Sequence, residues 1–390
     1  MQLIVKLTNF CNLKCTYCSE GDFTAPNVIN KELLFKLVDD LDELLQYVHD
    51  DNVEFLWHGG EPLTYLKDDL CEVMDYAIKK LGVKYAVKFL MQTNLTLLDD
   101  NWLTIIKKYK IGIGVSLDGY PALHNANRIT VDNKPTFHLV YENIKKLKSC
   151  DIIPGILMVL NTEEDIDINQ LFDVIEDLDV PCKIHPVVPC GRAGKRKDTN
   201  LISSNYVKLL KNIYTKMFEE NRFLTVEPLT NMVDAILGRA DIRECSFAGS
   251  CGKSFLCIFA DGGVGFCGRK SNDYNLKYGD LKTDSLLKLY NSANAIRIRS
   301  RQKFLLENDC KNCNDFDLCH GGCAYEATVA NGAPETKYPN CETRKEIIWF
   351  LKTEGLNILK QYLIKEKRKH LASLREKKRI LEELSNRERQ

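Results

Sequence analysis

The sequence predicts an α/β fold whose first half is a parallel sheet or a barrel of strand–helix units. Apolar, β-type runs alternate with helical patterns through about the first 190 residues. Polar or glycine-rich sequence follows each apolar run directly, and the sequence contains no internal repeat. Because consecutive parallel strands need a crossover helix between them, this alternation favours a parallel sheet over a series of hairpins.

Six short apolar runs are predicted to be strands, and the helical patterns lie between them. The predicted strands are Leu3–Leu7, Val53–Trp57, Ala86–Met91, Gly112–Leu117, Pro154–Leu160 and Cys182–Val187. The helices are expected near residues 30–48, 67–81, 99–109, 136–149 and 165–178. Asn30 is a suitable N-cap for the first helix, whose apolar residues recur at spacings of three and four.

Chemically distinctive residues follow the predicted strands and are not scattered along the chain. They are the cysteines at 11–18 and then Gly59-Gly60-Glu61-Pro62, Gln92-Thr93-Asn94, Ser116-Leu117-Asp118-Gly119 and Asn161. In α/β barrels the carboxyl ends of the strands hold the active site. The sequence therefore predicts that these residues lie together at one face of the fold, where they form the active site.

The second half of the chain has a different organisation. Residues 190–200 are predicted to be a linker, and helices are expected near 205–221 and 228–239. A cysteine-rich region covers residues 245–341 and contains a predicted hairpin, with strands Phe255–Phe259 and Val264–Cys267 around the turn Asp261-Gly262-Gly263. Residues 343–390 are predicted to form one long, charged helix.

The composition limits the classes of protein to which this sequence can belong. Lys and Arg total 54, as do Asp and Glu, so the zero net charge offers no electrostatic argument for a nucleic-acid or membrane partner. The amino terminus lacks a secretory signal, and no run of about 18 apolar residues occurs, so we expect a cytoplasmic protein. In a reducing compartment, 16 cysteines indicate metal binding or redox chemistry.

The first cysteine cluster is Cys11-x3-Cys15-x2-Cys18, which supplies three thiolates from one loop. A 4Fe–4S cluster usually has four cysteine ligands, so three would leave one iron open to a small molecule with an amine and a carboxylate. The alternative is a group of reduced core cysteines or a partial zinc site, although zinc usually has a fourth ligand nearby.

Residues 1–190 contain four motifs: CNLKCTYC, WHGGEP at 57–62, QTN at 92–94 and SLDG followed by Arg128. Together these motifs resemble those of the radical SAM superfamily. The resemblance implies a partial (β/α)6 TIM-like barrel, with a core spanning residues 1–230. It also implies that S-adenosylmethionine (SAM), bound at the open iron, is reductively cleaved to a 5′-deoxyadenosyl radical that abstracts hydrogen from a substrate.

By this resemblance, Gly59, Gly60 and Glu61 hold the methionine amino group, Tyr17 positions SAM, and Ser116 and Arg128 contact its ribose or carboxylate. The full implied set of SAM-binding residues is Tyr17, Gly59, Gly60, Glu61, Asn94, Ser116 and Arg128. Each has a simpler interpretation: the glycine pair as a turn, Arg128 as an exposed loop charge, and Asn94 as an Asx-turn residue.

The second cysteine set comprises eight residues, Cys245, Cys251, Cys267, Cys310, Cys313, Cys319, Cys323 and Cys341. Two sets of four thiolates bind either two 4Fe–4S clusters or zinc, as in two structural zinc knuckles. The spacing, with Gly262-x4-Cys267, resembles the SPASM domain, a small cysteine-rich extension of radical SAM enzymes, here over residues 240–342.

The SPASM resemblance implies three clusters in all, one that binds SAM and two auxiliary ones. The first auxiliary cluster would be held by Cys245, Cys251, Cys267 and Cys323. The second would be held by Cys310, Cys313, Cys319 and Cys341. The cysteines left unassigned are Cys71, Cys150, Cys182, Cys190 and Cys257.

SPASM enzymes mostly modify peptides or proteins. One subgroup crosslinks ribosomally made precursor peptides, and another, the anaerobic sulfatase-maturating enzymes, oxidises Cys or Ser to formylglycine. The cysteine spacing is close to the second subgroup, but this chain has Gly268 where that subgroup has an acidic residue after the cysteine, and the loop after Cys18 also differs. We therefore predict crosslinking or oxidation of a precursor peptide, with sulfatase maturation as the alternative and a non-catalytic zinc-knuckle binding protein as an alternative of another class.

The expected partners are a peptide or protein substrate and an electron donor such as flavodoxin or ferredoxin. Peptide-modifying relatives often begin with a leader-binding domain, which this sequence is expected to lack because its first strand begins at residue 2 or 3, so leader recognition would need another surface or a separate leader-binding protein. The helix at 343–390 has leucines at 371, 374, 381 and 384 that could seat a partner or pack on the enzyme, or the helix could be solvated. No catalytic acid or base is assigned; Asp261 and Asp273 are weak candidates.

Overall fold

The computed structural model describes residues 1–21, 26–162, 165–195, 199–242, 245–269 and 277–369 of the 390-residue chain. The predicted leucines at 371–384 and Asp273 lie outside these residues. No helix in the described residues is both long enough and apolar enough to cross a membrane.

One ten-stranded sheet organises both halves of the chain. In chain order its strands are β1 (Gln2–Thr8), β2 (Asn52–Gly59), β3 (Ala86–Thr93), β4 (Gly112–Ser116), β5 (Gly155–Leu160), β6 (Cys182–Pro186), β7 (Val226–Glu227), β8 (Phe255–Ile258), β9 (Gly263–Gly265) and β10 (Lys277–Asp280). Their spatial order is β10-β9-β8-β1-β2-β3-β4-β5-β6-β7. Strands β1 to β7 run parallel, and the edges at β10 and β7 leave the barrel partial.

The helices predicted up to residue 239 lie close to their predicted positions, whereas the helices at 121–127 and between residues 245 and 331 were not predicted. The helices of the described residues follow in chain order. They are α1 (Lys31–Val48), α2 (Lys67–Leu81), α3 (Asp100–Tyr109), α4 (Pro121–Asn127), α5 (Phe137–Lys148), α6 (Ile168–Leu178), α7 (Thr199–Glu219), α8 (Leu229–Ile236), α9 (Cys245–Ala248), α10 (Leu286–Tyr290), α11 (Ala293–Glu307), α12 (Phe316–Cys319), α13 (Ala324–Asn331) and α14 (Cys341–Phe350). A π-helical turn, Leu351–Gly355, joins α14 to a helix that continues to residue 369.

Local sequence explains the regular elements. Asn30 Oδ1 accepts a hydrogen bond from Leu33 N (2.9 Å), as expected for the N-cap of α1. Alternate residues of β1 are fully buried against the helices, while Lys6 lies on the opposite face of the strand, inside the barrel. The apolar residues on one face of β1 thus form part of the core between the sheet and the helices.

The hairpin of the cysteine-rich half extends the barrel sheet, which the sequence did not predict. Strand β8 pairs in parallel with β1, with Cys257 opposite Ile4. Antiparallel pairing then adds β9 and β10. Because Cys267 follows β9 closely, this pairing places the second cysteine set beside the strand that leads into the first.

Candidate active site

The first cysteines lie in a loop at the carboxyl end of β1, and the segment after α4 holds that loop in place. Lys14 N donates to Ile129 O (2.8 Å), and Thr16 N donates to Asn127 O (3.0 Å). The Thr16 hydroxyl also donates to Asn127 Oδ1 (2.6 Å). These bonds fix the path of the loop against the segment after α4.

The three thiols of this loop lie within electrostatic range of one another. Cys11 Sγ accepts from Leu13 N (3.4 Å) and faces Asn94 Nδ2 (3.8 Å) at the end of β3. Burial raises the pKa of Cys11 to about 12 and that of Cys15 to about 11. Iron binding must therefore displace protons from these thiols. Three grouped thiols on one loop, Cys18 being the third, fit a 4Fe–4S cluster with one open iron.

The glycine pair at the end of β2 lets two backbones approach closely. Gly60 N donates to Thr8 O (2.7 Å), and Glu61 N donates to Phe10 O (2.8 Å). A Cβ on Gly60 would lie 2.1 Å from Phe10 O, so a side chain there would push apart the end of β1 and the start of the cysteine loop. Gly59 and Gly60 are therefore more than a turn, since their small size sets the position of the loop.

The Glu61 carboxylate is buried and braces neighbouring strand ends. It accepts hydrogen bonds from Leu63 N (3.1 Å), the Thr93 hydroxyl (2.5 Å) and Asn94 N (2.7 Å). Burial raises its pKa to about 7, against the opposing effect of these three donors. The carboxylate thus ties the end of β2 to the end of β3.

A second buried hydrogen-bond network centres on Asp118. No role was assigned to Asp118 from the sequence, although the residue lies within the SLDG motif. Arg128 Nε (2.8 Å) and Nη2 (3.1 Å) donate to its two carboxylate oxygens. Val159 N (2.9 Å) and the Tyr17 hydroxyl donate to it as well. The Arg128 guanidinium lies 5.4 Å from the Tyr17 ring centre. Arg128 is thus buried in an ion pair, which excludes its interpretation as an exposed loop charge.

Ser116 and Asn94 lie at the ends of neighbouring strands. Ser116 Oγ accepts from Gln92 Nε2 (3.1 Å). Asn94 Oδ1 accepts from Thr96 N (3.0 Å) as an Asx turn, and its Nδ2 donates to Asn12 Oδ1 (2.9 Å) in the cysteine loop. The proposed SAM-binding residues thus surround the loop, and their contacts with SAM stay a prediction.

The segment after β6 closes over the cysteine loop, so the interpretation of residues 190–200 as a linker was wrong for its first part. Residues Gly191–Lys195 form a 3-10 helix. Arg192 N donates to Cys18 O (2.9 Å), and Arg192 Nη1 donates to Cys15 O (3.0 Å). A glycine-containing segment directly after a strand was the available signal, because the other site segments have the same position.

Electrostatic interactions connect the later cysteines in two groups. Cys251, Cys267 and Cys323 lie within electrostatic range of one another, and Arg269 interacts with Cys323, Cys267 and Cys245. In the second group, Cys310 interacts with Cys319, Cys313 and Cys341. No three His, Cys, Asp or Glu side chains in the described part of the chain come close enough to hold a single metal ion. Their role as cluster ligands stays a prediction.

Family models match both halves of the chain. The model of the radical SAM superfamily matches residues 5–175, and that of the SPASM iron–sulfur cluster-binding domain matches residues 245–314. The chain belongs to the radical SAM superfamily. Proteins of this superfamily with a SPASM domain bind SAM and 4Fe–4S clusters, which is the cofactor set the sequence predicted, and the chain is a radical SAM enzyme.

Curated relatives align with both domains. The chain is 26% identical over 362 residues to a cysteine-type anaerobic sulfatase-maturating enzyme of Clostridium novyi (strain NT), covering 88% of this chain and 92% of that protein. It is 25% identical over 371 residues to a serine-type anaerobic sulfatase-maturating enzyme of Bacteroides thetaiotaomicron, covering 84% of each.

Solved structures show the same fold. Native anSMEcpe with bound AdoMet has a TM-score of 0.77 at 20% identity, covering 92% of this chain and 99% of that one. Streptococcus suis SuiB bound to S-adenosylmethionine has a TM-score of 0.62 at 17% identity, covering 87% and 77%. The partial radical SAM barrel followed by a SPASM domain is therefore confirmed as the fold.

The radical SAM and SPASM halves meet beside Gly268, the residue that follows Cys267. A Cβ on Gly268 would lie 3.4 Å from Ile4 Cγ2 and 3.6 Å from Lys6 Cε. Lys6 is buried and forms an ion pair with Glu20, which follows the cysteine loop. Asp261, the weak candidate base, instead pairs with Lys277 Nζ (3.0 Å). The Lys6–Glu20 ion pair thus lies beside Gly268.

A buried histidine of the radical SAM half makes stability acid-sensitive. His124 Nδ1 accepts from Asp118 N (3.1 Å), and its Nε2 lies 3.0 Å from Thr136 Oγ1. Burial lowers the pKa of His124 from 6.5 to about 4. Between these values the unfolded chain binds a proton that the folded chain does not, so the free energy of unfolding should fall by up to about 3 kcal/mol as the pH drops from 6.5 to 4.

His124→Gln should remove this contribution, as measured by urea unfolding across that pH range. His58, whose pKa burial also lowers to about 4, adds to the dependence in the same window, and Glu61, whose pKa burial raises to about 7, opposes it. A pH profile of His124→Gln that is as steep as the wild-type profile would contradict the neutral, buried state of His124.

Proposed function

We propose that this radical SAM enzyme is a maturase that oxidises a cysteine or serine side chain of a peptide or protein substrate. The observation that carries the proposal is the alignment of curated sulfatase-maturating enzymes through both the radical SAM and the SPASM halves. These comparisons favour the sulfatase-type alternative over crosslinking. The solved relatives include anSMEcpe with a Cp18Cys peptide and SuiB with precursor peptide SuiA, which supports a peptidic substrate.

The chain's residues divide into those that hold cofactors and those that hold the loops. We propose that the SAM-binding cluster is held by Cys11, Cys15 and Cys18 in a core spanning residues 1–230. The auxiliary clusters are held by the two later cysteine sets in residues 240–342, and residues 343–390 form a helical extension. When bound, SAM and its cluster would supply the 5′-deoxyadenosyl radical, and the auxiliary clusters would provide an acceptor for the electron lost when the substrate is oxidised.

The polar networks of the site orient SAM and exclude water from it. Gly59, Gly60 and Glu61 would hold the methionine amino group, as the resemblance implies, and three protein donors fix the Glu61 carboxylate in place. The Asp118–Arg128 pair fixes Tyr17 beside the cysteine loop. Preorganised groups of this kind position the reacting atoms and shield the radical from solvent.

A second candidate function is oxidation or crosslinking of a ribosomally made precursor peptide. The observation that favours it is Gly268, which lacks the carboxylate of the sulfatase-maturating subgroup and lies beside the buried Lys6–Glu20 pair. The two functions predict different products, an aldehyde in the first case and a crosslinked or otherwise oxidised peptide in the second.

Anaerobic assays test both candidates. The reconstituted enzyme is incubated with SAM, a reductant and either a synthetic peptide spanning the target cysteine of a sulfatase or a short peptide encoded beside this gene. An aldehyde product that a hydrazine reagent traps supports sulfatase-type oxidation. A peptide that has lost two hydrogens without forming an aldehyde supports the second candidate and contradicts the first.

Metal analysis tests the cofactor assignment separately. Purified anaerobically, the enzyme should contain about twelve irons with matching sulfide, as expected for three 4Fe–4S clusters. Replacing Cys11, Cys15 and Cys18 by Ala should leave about eight irons and abolish 5′-deoxyadenosine formation. Zinc without sulfide, or 5′-deoxyadenosine from the triple variant, would refute the assignment.

A further inference from the structure

A buried cation, Arg301, lies in the apolar stripe of α11. The buried residues of this helix recur at helical spacing and are Ala295, Ile298, Arg301 and Leu305. Arg301 is only 4% exposed. An arginine is rarely buried this far unless an opposite charge lies beside it, so the position of Arg301 requires a counter-charge.

The hydrogen bonds that Arg301 donates all go to backbone carbonyls. Its Nη1 donates to Gly322 O (3.0 Å), and its Nη2 donates to Gly321 O (2.6 Å) and Thr336 O (3.4 Å). Its Nε donates to Pro334 O. In the described part of the chain, no Asp or Glu side chain forms an ion pair with Arg301. The carbonyls therefore satisfy the N–H groups but leave the positive charge uncompensated.

Two of these carbonyls belong to the short segment that separates the two later cysteine sets. Gly321 and Gly322 lie between Cys319, which the resemblance assigns to the second set, and Cys323, which it assigns to the first. A Cβ on Gly321 would lie 3.1 Å from Arg301 Nη1, so the guanidinium packs directly on this segment. Arg301 thus holds the chain at the point where one cysteine set gives way to the other.

Arg301 also interacts electrostatically with both cysteine sets. The cysteines concerned are Cys251 and Cys323 of the first set and Cys310 and Cys319 of the second. Protonated thiols are neutral, whereas a 4Fe–4S cluster with four thiolate ligands carries a net negative charge. Two bound clusters would therefore supply the counter-charge that the carbonyls do not, and the residues around Arg301 fit them.

A second arginine near the first set differs in this respect. Arg269 Nη1 lies 3.8 Å from Cys323 Sγ, and the same nitrogen lies 3.4 Å from the Glu326 carboxylate. The charge of Arg269 is thus balanced within the protein. Because Arg301 has no such carboxylate among the described residues, its charge acts more strongly on anions beside it.

We propose that Arg301 is a positioning residue of the two auxiliary clusters, in which one cation is the counter-charge of both clusters and holds the segment between their ligands. A cation beside a cluster stabilises the reduced form, which is the more negative one, so Arg301 raises the reduction potentials of both clusters together. The inference rests on the cluster assignment of the proposed function and is the same for either substrate.

A redox titration of the anaerobic holoenzyme, followed by electron paramagnetic resonance of the reduced clusters, tests this role. The step that is absent when Cys11, Cys15 and Cys18 are replaced by Ala belongs to the SAM-binding cluster. Arg301→Gln should lower the ratio of reduced to oxidised form of both auxiliary clusters about 10-fold at a fixed potential, which corresponds to about 59 mV for a one-electron couple. The SAM-binding step should not move and is the internal control.

Two further variants separate the charge of Arg301 from its hydrogen bonds and from a general effect of charge on α11. Arg301→Lys keeps the cation but not the planar set of donors, and it should keep both auxiliary potentials close to those of the wild type. Lys303→Gln removes an exposed cation from the same helix, where water and salt screen it, and should leave both potentials unchanged.

The outcomes distinguish this role from the cluster assignment. Unchanged auxiliary potentials in Arg301→Gln, with full iron content, would overturn the role of Arg301, and a shift of only one auxiliary cluster would overturn its shared nature. If Arg301→Gln loses iron, Arg301→Lys decides: full iron content with wild-type potentials supports the counter-charge, whereas lost iron or lowered potentials overturn it. A wild type that lacks the auxiliary irons would instead contradict the cluster assignment of the proposed function.

Discussion

Asp118→Asn should destabilise the protein by about 3–5 kcal/mol and abolish 5′-deoxyadenosine formation. Asp118 is fully buried and accepts from Arg128, Tyr17 and Val159 N. The substitution leaves the Arg128 charge buried without a counter-charge, and one face of the new amide presents donors to groups that are themselves donors. Chemical unfolding and anaerobic SAM-cleavage assays measure the two effects.

A matched control and a compensating change make the Asp118 prediction specific. Asp39→Asn breaks an exposed pair with Lys80, in which the side chains are 45% and 46% exposed, and should cost no more than about 1 kcal/mol. Adding Arg128→Gln to Asp118→Asn removes the uncompensated charge and should recover part of the lost stability. An unfolding free energy of Asp118→Asn equal to that of Asp39→Asn would show that the network does not support the fold.

Gly191→Ala should lower the rate of 5′-deoxyadenosine formation by about 100-fold, the size expected for a misplacement of about 1 Å in a catalytic site. Gly191 has φ +56°, and an added Cβ would lie 2.3 Å from Cys18 O and 2.5 Å from the Ser19 carbonyl. The left-handed conformation alone costs an alanine roughly 1–2 kcal/mol. The clash pushes the segment after β6 away from the cysteine loop, so Arg192 loses its bonds to that loop.

Gly194→Ala is the matched control, because it lies in the same 3-10 helix. Apart from its chain neighbours, no described residue has an atom within 4 Å of a Cβ placed on Gly194, and Gly194 is not among the residues with positive φ. This variant should cleave SAM at close to the wild-type rate and keep its full iron content. Equal rates for Gly191→Ala and Gly194→Ala would mean that the segment after β6 does not position the cluster loop.

Much of the fold could be predicted because its signals are local. The predicted helix at 67–81 matches α2, and the predicted strand Cys182–Val187 ends within one residue of β6. Hydrophobic periodicity depends on a few neighbouring residues, which is why such elements can be recognised from the chain alone. The pairing of β8 with β1 could not, because residues some 250 positions apart carry no shared local pattern.

The residues of the site also divide into those that the local sequence identifies and those that it does not. Residue chemistry and spacing identified Cys11, Cys15 and Cys18 and the glycines after β2, since thiolates for iron and the absence of a side chain at a close contact are properties of the residues themselves. Asp118 lies in the SLDG motif and Arg192 in a glycine-containing segment after a strand, but nothing in the sequence identified their partners. Each acts through partners from other segments, and an isolated acid or arginine in a sequence is usually an exposed charge.

The sequence by itself determined the chemistry, namely a radical SAM core with three cysteine sets placed after strands and in the second half. Only the tertiary structure decided how those parts are held: the sheet that joins the two halves, the buried Asp118–Arg128 pair and the segment that closes on the cysteine loop. The physical reason is that burial and hydrogen-bond satisfaction arise between segments distant in the chain and exist only once those segments pack.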